Sequence, residues 1–107
     1  MIKKSMYLED YVKLEYEPKG ICPSKIIVEV DKKGIIQNVQ FIGGCDGNLK
    51  ALGLMVKQQY AEYIIELLKD NTCGNKLTSC AAEMCKALKY ALEDVKEFYD
   101  PIKGYKL

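Results

Sequence analysis

Apolar and polar residues alternate along Val12-Lys13-Leu14-Glu15-Tyr16-Glu17, a period of two that predicts a half-buried β-strand. Pro18-Lys19-Gly20 breaks it. A second strand is expected at about 24–31, with Ile26, Val28 and Val30 on one face. Asp31-Lys32-Lys33-Gly34 follows as a hairpin loop, its glycine at the usual place for a positive φ. A third strand, about 35–42, presents Ile35, Val39 and Phe41 together, and Gly43-Gly44-Cys45-Asp46-Gly47 closes it. Residues 1–9 carry no such pattern and are expected to form a flexible leader.

The period then changes from two to that of a helix. Leu49, Leu52 and Val56 fall at i, i+3 and i+7 behind Asp46 or Asn48 as a cap. Residues of about 60–69 form a second helical stretch around Ile64, Ile65, Leu67 and Leu68, and Asn71-Thr72-Cys73-Gly74-Asn75 reads as a loop. In the last helix Leu77, Met84, Leu88, Ala91, Val95 and Phe98 trace one face, with Thr78 or Ser79 as N-cap and Pro101 and Gly104 past its end. Strands grouped before helices predict an α+β fold, a three-stranded antiparallel sheet followed by three helices.

At 107 residues the chain makes one domain, 1–107. It has no apolar run near the roughly 18 residues of a membrane span. The two lysines at the start are followed by no apolar stretch, so no secretion signal is read and a cytoplasmic protein is expected. With no histidine, Ser-His-Asp or Cys-His catalysis and His-ligated metal are excluded. All 16 basic residues are lysine and the net charge is +1, which leaves neither an arginine fork for phosphate nor an electrostatic footprint for nucleic acid. Asp46 and Glu83 stand as lone carboxylates, so no acid–base pair and no independent catalytic machinery is visible.

Cysteine departs from this plain composition. Five in a chain read as intracellular favour metal or thiol chemistry over a disulfide framework. Cys22 precedes the second strand and Cys45 follows the third. Because those two strands are hairpin partners, both positions fall at one end of the sheet. Cys73 lies in the loop before the last helix. Cys80 lies in that helix's first turn, where the dipole favours a thiolate. Four such thiolates suit tetrahedral zinc or an iron–sulfur cluster. The spacing C-x22-C-x27-C-x6-C contains no CxxC knuckle, so spacing alone specifies little, and small buried cysteines are its plain alternative. Cys85 follows that alternative. It is five residues, about 140°, around the helix from Cys80 and borders Leu88 and Leu92.

Gly43-Gly44-Cys45-Asp46-Gly47-Asn48-Leu49-Lys50 and Cys73-Gly74-Asn75-Lys76-Leu77-Thr78-Ser79-Cys80 resemble the TSCPD domain, in which a GGCxGN turn precedes a CG-x-K-x-TSC segment and an earlier cysteine corresponds to Cys22. The resemblance covers about residues 20–92. It implies a cysteine-rich, metal-binding module with Cys22, Cys45, Cys73 and Cys80 as ligands of zinc or an iron–sulfur cluster. TSCPD domains stand alone or follow adenosylcobalamin-dependent ribonucleotide reductases. The alternative implied is therefore a thiol-redox accessory of ribonucleoside-diphosphate reductase, and the expected partners are a metal ion, that enzyme or another protein, or a second copy. Ala81-Ala82 replace the family's Pro-Asp.

The order of cysteines is also similar to that of iron–sulfur scaffold proteins of the NifU/IscU type. Cys22, Cys45 and Cys80 match that family's three cysteines, while Ser24 and Ser79 stand in place of its Asp and His. That resemblance implies a scaffold-like topology. Cys73 is this chain's candidate for the fourth ligand that the two serine replacements remove.

Overall fold

The alternation read from the sequence appears as buried and half-buried positions in turn along β2 (Tyr11–Tyr16) and β3 (Lys25–Asp31). The computed structural model describes residues 3–19, 21, 23–43, 46–70 and 79–98. Two further strands, β1 (Lys3–Tyr7) and β4 (Ile36–Ile42), complete an antiparallel sheet of order β1-β2-β3-β4. Three helices follow: α1 (Asp46–Val56), α2 (Ala61–Leu68) and α3 (Cys80–Phe98). The architecture is α+β, with four strands where three were expected. The expected loop at Asn71–Asn75, and Leu77, Thr78, Pro101 and Gly104, lie outside the described residues.

β1 replaces most of the expected leader. Lys3 pairs with Tyr16 and Tyr7 with Val12. The strand escapes a reading by alternation because it is an edge: Met6 and Tyr7 are half exposed, so burial imposes no period of two. It is also tied to α3, where Ser5 Oγ donates to Asp94 Oδ2 at 2.6 Å.

One face of the sheet carries Val12, Leu14, Ile26, Val28 and Val30, each fully buried. Cross-strand pairs Val12–Val30 and Leu14–Val28 stack them in rows. Met84, Ala87, Leu88 and Ala91 of α3 cover that face. Each of the larger side chains contributes about 1.5–3 kcal/mol by leaving water. α3 packs on β1, β2 and β3, α2 packs on α3, and α1 packs on β4.

The hairpin between β3 and β4 turns as expected. Gly34 has φ 84°, and Asp31 Oδ1 accepts from the backbone N–H of Lys33 and of Ile35, each at 2.9 Å. Of the face assigned to β4, Val39 is buried and Phe41 packs against the core, and only the place of Ile35 is corrected. Val30 pairs with Ile36 but Glu29 with Asn38, a β-bulge that leaves Gln37 extra. The bulge turns Ile36 into the core, fully buried, while Ile35 stays half-buried and bridges to Tyr60. In α2, Ile64 is buried and Leu67 is exposed. Among the described residues no helix is long and apolar enough to cross a membrane.

α1 approaches β4 so closely that a Cβ on Gly53 would stand 2.6 Å from the Val39 carbonyl oxygen. Only a residue without a side chain fits there. Gly47 in the same helix has nothing within 4 Å of such a Cβ. Glycine to alanine inside a helix ordinarily gains up to about 1 kcal/mol. Gly47→Ala is expected to be neutral or mildly stabilising, and Gly53→Ala to lose about 1–3 kcal/mol through overpacking. Urea denaturation of the two variants checks the contrast; equal midpoints would contradict this packing of α1.

Candidate metal centre

β2 ends at Tyr16, β3 begins at Lys25 and β4 ends at Ile42. The pairs Tyr16–Ile26 and Ile26–Phe41 place these three points at one end of the sheet. The chain is held tightly there. Pro23 is fully buried, and the Ser24 backbone N–H donates to the Ile42 carbonyl at 2.9 Å. Gly43 has φ 85°, which favours glycine, and a Cβ on it would lie 3.9 Å from the Pro23 Cα. The residue after position 22 and the residue before position 44 are therefore neighbours.

The start of α3 meets the same end. Ser79 is its N-cap: the side-chain Oγ accepts from the Ala82 N–H at 3.0 Å, and the Ser79 carbonyl accepts from the Glu83 N–H at 2.9 Å. Of the two expected caps, Ser79 is thus the one the described residues contain. Cys80 becomes the first helical residue, half-buried.

Glu83, in the same turn, is 1% exposed. The Tyr16 hydroxyl donates to its Oε1 at 3.0 Å, and Lys86 Nζ lies 2.7 Å from its Oε2. Burial, and then the adjoining Glu83 carboxylate, hold the Tyr16 hydroxyl far above the ordinary tyrosine range in pKa. Tyr90 packs beside it with ring centroids 5.9 Å apart. Glu83 is accordingly no lone carboxylate, which corrects the sequence reading. Its Lys86 partner carried a signal, since i and i+3 share a helix face. Tyr16, 67 positions away, carried none.

Of the four expected ligands, Cys80 is described; Cys22, Cys45 and Cys73 lie outside the described residues. Among the described residues no three of His, Cys, Asp and Glu gather closely enough to hold a metal ion. Cys85 is placed as its helical position predicts. It is 2% exposed, its Sγ lies 3.7 Å from the Ile64 carbonyl, and it contributes to the lining of a cleft of about 440 Å³ between α2 and α3. Burial pushes its thiol up to about 11.

A neutral buried thiol has a consequence for pH dependence. A folded-state pKa raised above the unfolded value gives stability that is complete below the unfolded pKa and is lost as pH rises through the folded one. For Cys85 that window runs from 9.0 to about 11, and Tyr16 extends the loss in the same direction. Cys85→Ala is expected to cost about 1 kcal/mol at neutral pH and to flatten the fall in stability across that window. Denaturation midpoints measured from pH 7 to 11 test this; an unchanged alkaline slope would show that Cys85 ionises as freely in the folded chain as in the unfolded one.

The TSCPD domain family model matches residues 9–92, a span that takes in both glycine- and cysteine-bearing segments and the first turns of α3. No curated protein and no solved structure matches the chain.

Proposed function

The chain belongs to the TSCPD domain family, and from that premise we propose that it is a small metal-binding module in which Cys22, Cys45, Cys73 and Cys80 hold one zinc ion or one iron–sulfur cluster through four thiolates. The observation that carries this reading is the convergence at one end of the sheet. Pro23 and Gly43 adjoin there, and the Tyr16–Glu83 hydrogen bond brings in the helix turn that begins with Cys80. The donor set fits such a group: four soft sulfur ligands, no histidine, and one cysteine at a capped helix start. Cys85 is left out because it is buried between α2 and α3. Thiolate ligands persist in a reducing compartment, consistent with a cytoplasmic location.

The bound group would tie the β2–β3 connection, the end of β4 and the start of α3 into one unit, a staple for a domain of modest size. Strands preceding helices, with Cys22 and Cys45 flanking a hairpin and Cys80 opening the last helix, also support the iron–sulfur-scaffold topology. A second reading is a thiol relay serving ribonucleoside-diphosphate reductase. It is favoured by the helix-start position of Cys80, which promotes the thiolate needed for thiol–disulfide exchange.

Elemental analysis and the visible spectrum of anaerobically purified protein separate the two. The metal reading expects about one zinc, or iron with sulfide, per chain or per shared site. It also expects Cys45→Ser and chelation each to lower the melting temperature, with chelation adding nothing to the Cys45→Ser variant. Five freely titrating thiols, no metal and a melting curve indifferent to chelator would overturn it and leave the relay.

A further inference from the structure

We infer that Glu83 is a positioning residue: through its hydrogen bond from Tyr16 it sets where the first turn of α3, and with it Cys80, stands against the end of the sheet. The role assigned to Glu83 rests on the four-thiolate reading above.

Apolar contacts hold α3 to the sheet through Met84, Ala87, Leu88 and Ala91, all fully buried. Such contacts are non-directional, whereas a metal centre needs its ligand distances held to about 0.2 Å. Glu83 supplies direction at the start of the helix, as Asp94 does further along it. Glu83 is 1% exposed, lies one turn from Cys80, and its carboxylate accepts from the hydroxyl of the last residue of β2 at 3.0 Å. Stability alone does not require it. The pair joins a buried carboxylate to a lysine whose side chain is 57% exposed, so solvent screening and the desolvation of Glu83 leave it little net attraction, and apolar residues of similar volume often serve as well. What an apolar side chain lacks is an acceptor for Tyr16.

That distinction gives a test on the full chain, prepared anaerobically without metal and titrated with Co²⁺ followed by Zn²⁺ competition. Glu83→Gln keeps an acceptor for the Tyr16 hydroxyl and gives up the charge facing Lys86. The pair Tyr16→Phe with Glu83→Met removes both polar partners while preserving shape. Tyr16→Phe alone removes a single oxygen. The double variant is expected to melt, metal-free, close to the wild-type temperature, yet to bind about tenfold or more weakly. Its thiolate-to-Co²⁺ bands should also be altered. Tyr16→Phe should shift the same way, and Glu83→Gln should stay within about threefold of the wild type. Wild-type affinity and spectrum in Tyr16→Phe, or weakening in Glu83→Gln equal to that of the double variant, would overturn the positioning role while leaving the metal reading intact. A wild-type chain that takes up no Co²⁺ would overturn the metal reading itself.

Discussion

A carboxylate withdrawn from water fixes how the two layers of this domain meet. Glu83 sits between the helix that covers the sheet and the sheet's own end, and its burial is tolerable because Tyr16 and Lys86 are aimed at its two oxygens. Eleven residues on, about 16 Å along the same helix, Asp94 accepts from Ser5 of β1 at 2.6 Å. Between these polar contacts the helix lies on fully buried alanine, leucine and methionine. The apolar stripe supplies most of the attraction. The two hydrogen bonds, one at each half of α3 and each to a different strand, supply direction. Together they specify a rotation and an axial position that the stripe alone leaves loose.

The parts of the fold legible in the chain are those where one face is buried and the other wet. β2 and β3 are of this kind, and so is α3, whose inner positions repeat with the helical period. β1 was illegible for the complementary reason. Its pairing is written in backbone groups, which every residue has, and Met6 and Tyr7 face solvent enough to hide any period. β4 was half legible. Val39 is buried as its spacing suggests, but the extra Gln37 shifts the phase, so Ile36 rather than Ile35 enters the core. A bulge is a property of two strands together, and no pattern within one of them announces it.

The candidate site divides along the same line between local and distant causes. Cys80 as a helix start and Cys85 as a packing residue both follow from local rules, the first from a serine cap and the second from five steps of helical rotation. The Glu83–Lys86 pair is local too. Tyr16 as the partner of Glu83 joins the first third of the chain to its last helix, and one sequence holds no trace of that contact. Gly53 is a similar case: its need to be glycine comes from the Val39 carbonyl, a neighbour in space and not in sequence.

The first turn of α3 departs from the family pattern. Where the TSCPD pattern has Pro-Asp after its cysteine, Ala81 and Ala82 stand here. Proline would pre-set φ at the start of a helix, and an aspartate would answer the positive end of the dipole. Alanine, the best helix former, carries the turn without the first device. A carboxylate stands in the same turn at Glu83. Ala82 is 5% exposed, and its N–H already bonds to Ser79 Oγ, so a carboxylate at that place would itself need a buried partner. At Glu83 the partners exist, in Tyr16 and Lys86, and the longer side chain reaches them from within the same turn. A carboxylate at Glu83 thus lies in the first turn of α3, near the positive end of its dipole, and joins the turn that opens with Cys80 to the strand end beside it.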